Sequence, residues 1–488
     1  MPVQRLCQNL PYAFARQNGV ILQDTEDGPV CTLRPGAPLT ALAEVQRVAR
    51  PVRFDTITSD MFETRLASVY RDNASDASDA AAAHGDLASL ADSAAVVDDL
   101  LDQSEDAPVV RLINALLQEA IKEGASDIHI ETQERALKVR FRVDGILRDM
   151  LEPKRALAPL LVSRIKVMAR LDIAEKRLPQ DGRVSLRVGG HEVDVRVSTI
   201  PSQYGERVVL RLLDRSATRL GLELLGMSPR DVATFAQLLA RPDGMLLVTG
   251  PTGSGKTTSL YAALDHLNDK TRNIMTVEDP IEYSVDGVGQ MQVNPRTELT
   301  FARGLRAILR QDPDVIMVGE IRDRETAQVA VESAMTGHFV LSTLHTNTAI
   351  GAVSRLIDMG VERFLLAPML VGLVAQRLVR RLCSDCRIAG AATAADASLV
   401  DGLVAGDPLW RACGCPKCHG QGYRGRSGIY EVVAVTREIE ALIHAGASEA
   451  DLSAAARRDG PGLIADGLRQ IRAGATTVEE VARVARET

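Results

Sequence analysis

Aromatic residues are scarce in this sequence, and their scarcity limits the partners that the protein can bind. Phe, Trp and Tyr make up 3% of the 488 residues, and the formal net charge is -7. Nucleic-acid-binding proteins stack bases on aromatic rings and attract phosphates with positive charge. We therefore expect no nucleic-acid partner, although Arg377, Arg380 and Arg381 could form a local basic patch.

Long apolar runs are also missing. The longest extends from Phe364 to Ala375 and contains a Pro and a Gly, so it is far shorter than the ~20 apolar residues that a membrane-spanning helix needs. The first residues, MPVQRLCQNLPYAFARQNG, contain no apolar segment typical of a signal peptide. We expect a cytoplasmic protein that reaches a membrane only through partners.

Cysteines are rare outside one short segment. Five of the seven lie between Cys383 and Cys418, whereas Cys7 and Cys31 are predicted to be small hydrophobic residues. In a cytoplasmic protein such clustering indicates metal ligation rather than disulfides.

Two C-x₂-C pairs stand within that segment and suit a structural Zn²⁺ site. The predicted ligands are Cys383, Cys386, Cys415 and Cys418. Because 28 residues separate the pairs, Cys413 or His419 could replace one ligand. A redox role for either pair is the alternative, and no thioredoxin-like context supports it.

The chain is too long for one compact core, so we expect two to four domains. Residues 1–71 alternate short apolar runs with Gly and Pro, which predicts a small α/β module. Residues 72–107 follow as an acidic linker rich in Ala and Ser. From 72 to 110 there are ten acids and no Lys or Arg, a composition typical of a flexible tether. A helix over 87–103 is the alternative.

A second α/β domain is predicted over residues 108–220. It begins with a helical pattern in which Leu112, Leu116 and Ile121 share one face and Gly124 stands where a helix would end. Segments that alternate apolar and polar residues follow, and they predict a sheet with intervening helices.

A third domain is predicted over residues 226–488. Apolar strand candidates at 245–249, 274–277, 315–318 and 339–343 alternate with helical segments. This alternation favours a mostly parallel sheet with helices on both faces.

A complete P-loop pattern, GPTGSGKT, lies directly after the first of these strands and before a helical segment. Its glycines let backbone N–H groups surround a phosphate, and the helix presents its positive end to the same anion. Lys256 would neutralise the β- and γ-phosphates of ATP, and Thr257 would bind Mg²⁺. The predicted nucleotide-binding residues are Gly250, Pro251, Thr252, Gly253, Ser254, Gly255, Lys256, Thr257 and Thr258.

Further polar residues follow the other strands of this domain. Glu278 ends one strand, Glu320 follows the next, and His345 comes after the last. The carboxyl ends of parallel strands meet at one edge of a sheet, where ATP hydrolysis needs carboxylates for metal and water. An acid at a strand end is often only a cap or a salt-bridge partner, but three polar strand ends beside a P-loop favour catalysis.

These motifs resemble those of the secretion ATPase superfamily, which drives type II secretion, type IV pili and type IV secretion. Four boxes occur in the family's order, at residues 250–257, 276–283, 310–327 and 334–347. The resemblance implies a RecA-like ATPase domain with a zinc-binding insertion at about 381–422 and a helical C-terminal tail, in a homo-hexamer. It also implies that Glu278 polarises the attacking water, that Glu320 binds or positions Mg²⁺, and that His338 and His345 sense or contact the phosphates. Which glutamate is the general base stays open, because the strand of the Walker B-like box (310–327) is followed by Gly319-Glu320 rather than by the usual Asp.

Residues 126–213 also resemble the second N-terminal domain of this superfamily, through the motifs SDIHIE, RVDG (142–145), LPQDGR (178–183) and STIPSQYGERVVLRLL (198–213). In that family the domain closes over the nucleotide, which implies that Arg196, Arg211 and Arg207 stabilise phosphate charge. A solvated sheet face is the alternative reading of these arginines.

The opening LPYAFARQNGVIL is similar to the start of type II secretion ATPases. The similarity implies that residues 1–71 dock on the cytoplasmic domain of an inner-membrane secretion protein. A polytopic inner-membrane platform protein and acidic phospholipid would be further partners, which would place the chain peripherally at the inner membrane.

Other functions remain open at this point. A type IV pilus assembly ATPase shares the four boxes and the cysteine segment. A DNA translocase uses the same nucleotide fold, but it usually carries a basic channel. A scaffold that binds ATP without hydrolysis is disfavoured because Glu278 and Glu320 are both present.

Overall fold

The computed structural model divides into two compact units, Met1–Ala115 and Leu116–Thr488. It describes residues 15, 18–25, 28–49, 52–59, 61–62, 65, 87, 108–188, 191–214 and 221–485. Cys7 and, apart from Leu87, the predicted linker up to residue 107 lie outside these described residues.

The described part of the first unit contains a small three-stranded sheet and a helix. The elements are β1 (Val20–Thr25), β2 (Gly28–Leu33), α1 (Leu39–Val48) and β3 (Arg53–Thr56). Strand β2 pairs antiparallel with β1 and parallel with β3. Cys31 lies fully buried among Val20, Leu22 and Val45, and burial raises the pKa of its thiol to about 11. Cys31 is therefore a small hydrophobic residue, as predicted.

The helix α2 (Pro108–Lys122) precedes a six-stranded antiparallel sheet. Leu112 and Leu116 are buried, and Gly124 adopts the left-handed conformation expected at a helix end, with φ +65°. The sheet order is β6-β5-β4-β9-β8-β7. Its elements are β4 (Ala125–Thr132), β5 (Leu137–Val143), β6 (Ile146–Leu151), α3 (Ala158–Met168), β7 (Gln180–Val188), β8 (His191–Ser202) and β9 (Gly205–Asp214).

The two faces of this sheet differ sharply in polarity. Strand residues point alternately to opposite faces, so Ile128, Phe141 and Leu210 are buried on one face while Arg142 and Arg211 lie on the other. The charged face is the one that bears on function.

A seven-stranded sheet forms the centre of the remaining chain, in the order β12-β11-β13-β14-β10-β15-β18. Six strands are parallel, and only β18 pairs antiparallel. The strands are β10 (Gly244–Thr249), β11 (Ile274–Glu278), β12 (Val288–Gln292), β13 (Val315–Val318), β14 (Phe339–Leu344), β15 (Leu370–Leu382) and β18 (Tyr423–Ala434). The four predicted strands are confirmed to within one residue, whereas β12, β15 and β18 were not predicted. The apolar run Phe364–Ala375 covers the helix Arg363–Met369 except for its first residue, and it continues into the first half of β15.

Helices cover both faces of this sheet, which confirms the α/β prediction. Met245 and Leu247 of β10 pack into one core, and the intervening Leu246 and Val248 pack into the other. Four helices follow β18 and form the predicted helical tail. The helices of this domain are α4 (Pro229–Leu239), α5 (Lys256–Leu267), α6 (Phe301–Ile308), α7 (Arg324–Met335), α8 (Gly351–Asp358), α9 (Arg363–Met369), α10 (Ala394–Ala397), α11 (Arg437–Ala445), α12 (Glu449–Asp459), α13 (Leu463–Arg472) and α14 (Val478–Ala485).

The segment between β15 and β18 contains a two-stranded antiparallel hairpin, β16 (Ile388–Ala391) and β17 (Pro408–Arg411). Among the described residues, no helix combines the length and the apolar character that crossing a membrane requires.

The charge pair between Lys166 and Glu206 supports a stability prediction. Both side chains are at least 92% buried, and Lys166 also donates to the backbone oxygen of Glu175 at 2.7 Å. Glu206→Gln leaves a buried ammonium without its anion, so we expect a loss of about 3–5 kcal/mol in the opening free energy of the antiparallel sheet. Hydrogen–deuterium exchange of peptides from α3 and β9 measures this loss.

The matched control is Glu438→Gln, which removes an ion pair to Arg458 whose side chains are more than half exposed. We expect it to change stability by less than about 1 kcal/mol. Unchanged exchange of α3 and β9 in Glu206→Gln would contradict the prediction.

Candidate functional site

The P-loop connects β10 to α5, and its glycines have definite steric roles. Gly250 and Gly255 adopt φ values of +149° and +89°. A Cβ on Gly250 would lie 2.5 Å from the backbone oxygen of Gln376, and one on Gly255 would lie 2.7 Å from the Gln376 amide nitrogen. Only glycine lets the loop close against β15 at these two positions.

The ammonium group of Lys256 lies inside the loop. Its Nζ donates to the backbone oxygens of Gly250 at 2.7 Å and Pro251 at 3.1 Å. The side chain is largely buried, and burial lowers the pKa of Lys256 to about 8, although the negative charge of Glu320 opposes the fall. Thr257 and Thr258 are exposed on the first turn of α5.

His345 and Glu320 complete a polar group at the same edge of the sheet. The Nδ1 atom of His345 lies 3.4 Å from the Lys256 Nζ, and its Nε2 lies 3.3 Å from a Glu320 carboxylate oxygen. The other Glu320 oxygen pairs with the guanidinium of Arg322. Lys256, His345 and Glu320 follow three adjacent strands, and we call them the loop triad.

Glu278 occupies a separate hydrogen-bond network at the end of β11. The residue is 3% exposed, and both carboxylate oxygens accept hydrogen bonds from the protein. One oxygen accepts from the Tyr261 hydroxyl at 2.5 Å, and the other accepts from Thr276 at 2.5 Å and from the Gln290 amide at 3.1 Å. These contacts do not include the loop triad.

His338 lies at the opposite edge of the sheet. It precedes β14, and its backbone oxygen accepts from the N–H of Gly244 at the start of β10. Its Nδ1 lies 2.9 Å from the Ser333 backbone oxygen. The six residues of β14 separate it from His345 by roughly 20 Å. The expectation that His338 contacts phosphates at the loop of its own chain is therefore not supported by the geometry.

The antiparallel sheet carries a row of charged residues on its polar face. Arg183, Arg196, Arg211, Asp127 and Arg142 are successive cross-strand partners on β7, β8, β9, β4 and β5. Directly opposed residues point to the same face, so these side chains stand side by side. We call this set the arginine row.

The predicted arginines of this sheet differ in their contacts. Arg211 donates to Asp127 at 2.8 Å with its side chain 59% exposed. Arg207 lies four residues before Arg211 on β9 and pairs with Glu131 of β4 at 2.7 Å. A cavity of about 300 Å³ lies along the row, and its lining includes Arg183, Arg196 and Arg211.

Three members of the arginine row act electrostatically on Glu282, four residues after Glu278. Burial raises the pKa of Glu282, and the charges of Arg196, Arg211 and Arg183 oppose that rise. The positive charge of these three arginines therefore reaches Glu282, in the segment that follows β11.

The structure adds residues that the motif analysis did not single out. Tyr261 and Gln290 bind Glu278, Arg183 extends the arginine row, and Gln376 accepts from Ser259 of α5 at 2.8 Å. Of these, only Arg183 had a sequence signal, because it ends the motif LPQDGR.

The local basic patch that the sequence allowed at Arg377, Arg380 and Arg381 does not form. Arg377 is 2% exposed and donates to the backbone oxygen of Asn347 at 2.9 Å. Arg380 stacks on Tyr423 and pairs with buried Glu480 at 2.8 Å. Strand β15 lies inside the domain, so Arg377 and Arg380 meet protein partners rather than solvent.

Known families and relatives agree with this architecture. A family model described as type II/IV secretion system protein matches residues 102–483, and a model of a GSPII protein E domain matches residues 9–70. The chain is 57% identical over 485 residues to a Type II secretion system protein E of Pseudomonas aeruginosa, across 98% of this chain and 97% of the relative. It is 54% identical over 490 residues to a Type II secretion system ATPase E of Vibrio cholerae, across 99% and 97%.

The chain belongs to the type II/IV secretion system protein family. A crystal structure of the pilus retraction motor PilT with bound ADP matches 76% of this chain and 96% of its own length, at 29% identity and a TM-score of 0.53. The resemblance stated from the four boxes is confirmed, and the chain is an ATPase of this family.

The structure also contains a four-cysteine cluster beside β15 and β18. The Sγ atoms of Cys383, Cys386, Cys415 and Cys418 all lie within 4.8 Å of one another. Three Sγ pairs measure 3.7–3.9 Å, close to the ~3.8 Å edge of a sulfur tetrahedron around zinc at about 2.3 Å.

Backbone N–H groups support these sulfurs. The N–H of Gly422 donates to the Cys418 sulfur at 3.1 Å, and that of Gly414 donates to the Cys386 sulfur at 3.3 Å. Cys413 is exposed and outside the cluster, and the His419 Nδ1 lies 3.1 Å from a carboxylate oxygen of Glu123 instead. The geometry therefore favours the four predicted cysteines over either substitute.

A pKa of about 8 for Lys256 predicts that ATP binding is coupled to proton uptake. At pH 8 about half of the Lys256 side chains are neutral in the free protein, and anionic phosphates raise the pKa. We expect binding at pH 8 to take up roughly half a proton and to weaken as the pH rises further. Titration calorimetry in two buffers of different ionisation enthalpy measures the uptake.

The control is Lys154→Met, which replaces an exposed lysine. It should retain the proton uptake of the wild type. A binding heat that does not depend on the buffer would contradict the prediction.

Proposed function

We propose that this chain is the ATP-hydrolysing motor of a type II secretion system. Hydrolysis and the resulting domain motion would be coupled to pseudopilus assembly and protein export through an inner-membrane platform. The observation that carries the proposal is the loop triad, which places an ammonium, an imidazole and a carboxylate together at the P-loop of a chain 57% identical to a Type II secretion system protein E.

Each group at the P-loop edge would have its own task. Lys256 would exchange its bonds to the loop carbonyls for bonds to the β- and γ-phosphates, and His345 would contact the γ-phosphate. The Thr257 hydroxyl and the Glu320 carboxylate are oxygen ligands of the type that Mg²⁺ prefers. Mg²⁺ held there would neutralise charge that develops between the β- and γ-phosphates.

Glu278 would polarise the attacking water, which makes it the favoured general base. Both of its oxygens accept hydrogen bonds in this structure, so it is held in one orientation. Glu320 is already engaged with Arg322 and lies beside Lys256, which suits a metal-positioning role better than proton transfer.

Arg196 and Arg211 would supply positive charge to the phosphates when the antiparallel sheet closes over the nucleotide. The arginine row supports this role because it already lies within electrostatic reach of Glu282. Arg207 is the weaker candidate, since it is engaged with Glu131.

Assembly and membrane recruitment form the finer part of the proposal. Six copies of the chain would form a ring at the cytoplasmic face of the inner membrane. Residues 1–71 would dock on the cytoplasmic domain of an inner-membrane secretion protein, and acidic phospholipid could assist. The match of residues 9–70 to the GSPII protein E domain model supports type II secretion over the type IV pilus alternative.

The first test is ATP turnover of the wild type, Lys256→Ala and Glu278→Gln, with and without the cytoplasmic domain of the membrane partner and acidic phospholipid. We expect the partner to raise wild-type turnover and each substitution to lower it by on the order of 100-fold or more, because phosphate binding or water activation is lost. Lys154→Ala serves as the charge-matched control for Lys256→Ala.

An ATP turnover rate that the partner leaves unchanged and that DNA raises would overturn the secretion proposal in favour of a DNA translocase. Turnover retained in Glu278→Gln but lost in Glu320→Gln would exchange the roles of the two glutamates.

We also propose that the four-cysteine cluster holds one structural Zn²⁺ per chain. Four protein thiolates leave no position for substrate, so the ion would hold the 383–418 segment in shape beside β15 and β18. We expect purified protein to contain one equivalent of zinc by atomic emission, and Cys418→Ser to lose most of it.

Cys413→Ser is the matched control, because Cys413 is exposed and outside the cluster. It should retain the full equivalent. Zinc loss in Cys413→Ser, or no zinc in the wild type, would contradict the assignment.

A further inference from the structure

We infer that Tyr261 and Gln290 are positioning residues for the hydrolysis step, because they hold the Glu278 carboxylate and connect it to the segment 282–285. This inference rests on the proposed function, in which Glu278 polarises the attacking water. Neither residue needs to touch the nucleotide for this role.

The hydroxyl of Tyr261 is directed at Glu278 from the P-loop helix. It donates to a carboxylate oxygen of Glu278 at 2.5 Å and accepts from the backbone N–H of Glu282 at 3.2 Å. Burial and the charge of Glu278 raise the pKa of Tyr261 well above its usual range, so the hydroxyl remains a donor at any working pH. Tyr261 is 2% exposed, and its ring lies 4.4 Å from the ring of Tyr283, centroid to centroid.

The side-chain amide of Gln290 has its orientation set by its partners. Its oxygen accepts from the N–H of Val285 at 2.8 Å, so its nitrogen must be the donor to the groups on its other side. That nitrogen donates to Glu278 at 3.1 Å and to the backbone oxygen of Tyr283 at 3.1 Å. Gln290 therefore ties the carboxylate and the segment after it to β12.

Positioning matters here because a glutamate side chain has several rotatable bonds. A displacement of about 1 Å at a reacting group can cost on the order of 100-fold in rate. Tyr261 is anchored on the helix that begins at Lys256, so its hydroxyl fixes Glu278 relative to the P-loop. Gln290 fixes the same carboxylate relative to β12, the outermost strand on that side of the sheet.

Tyr261→Phe and Gln290→Met test the inference in the full-length chain. Each removes donors to Glu278 while it keeps the size of the side chain. We expect kcat for ATP hydrolysis to fall by about 10- to 100-fold and KM for ATP to change by less than about twofold. In the Glu278→Gln background the same substitutions should cause no further fall, because they act through that carboxylate.

Tyr430→Phe is the matched control. Tyr430 is also a fully buried tyrosine of this domain, and its hydroxyl donates to the backbone oxygen of Leu225 at 3.1 Å. It should retain wild-type kcat. Thermal unfolding midpoints of all variants separate loss of positioning from loss of folding.

Three outcomes overturn the inference. One is an unchanged kcat in both variants, another is a raised KM with unchanged kcat, and the third is an equal fall in the Glu278→Gln background. If the wild type itself hydrolyses no ATP with its partner present, the proposed function fails together with the inference. Wild-type turnover with unaffected variants refutes only the positioning role.

Discussion

The buried ammonium group of Lys256 is the interaction on which the nucleotide site depends. A lysine that is 8% exposed must have acceptors for its ammonium, and the backbone oxygens of Gly250 and Pro251 provide them. The loop can curve around it only because Gly250 and Gly255 leave room for Gln376 of β15. Burial raises the free energy of the charged ammonium group. It also strengthens the attraction of that group for phosphate, since charges interact more strongly away from water.

The parallel sheet explains why distant segments meet at this ammonium. Strands β10, β13 and β14 are adjacent and parallel, so the residues after them emerge at one edge. Glu320 and His345 are brought to Lys256 in this way, although they stand 64 and 89 positions after it in the chain. Glu278 ends the neighbouring β11, but hydrogen bonds from other side chains hold it in a separate network. The carboxyl ends of the strands therefore carry two polar groups instead of one. The organisation suits a reaction in which metal binding and water activation are separate tasks.

The charged face of the antiparallel sheet results from the alternation of apolar and polar residues along its strands, which also forms its core. Because Ile128 and Leu210 face inward, Asp127 and Arg211 must face outward, and cross-strand register then aligns four arginines around one aspartate. The four arginines outnumber the single aspartate, so this surface has a net positive charge and favours an anionic neighbour. Glu282 is one such neighbour within the protein, and a nucleotide phosphate is the proposed other.

The sequence was sufficient for the P-loop and the four central strands, since each depends on neighbours within a few residues. It predicted a metal site at the two C-x₂-C pairs, but only the structure favoured the four cysteines over Cys413 and His419. Tertiary structure decided the rest. Tyr261 and Gln290 carry no motif of their own, and only the folding of α5 and β12 against β11 brings them to Glu278. His338 and His345 lie in one box, yet a six-residue strand sends them to opposite edges of the sheet. From the sequence alone Arg377 would be a surface charge, but it is buried because β15 lies inside the domain. No short-range sequence pattern indicates which elements will cover the side chains of β15.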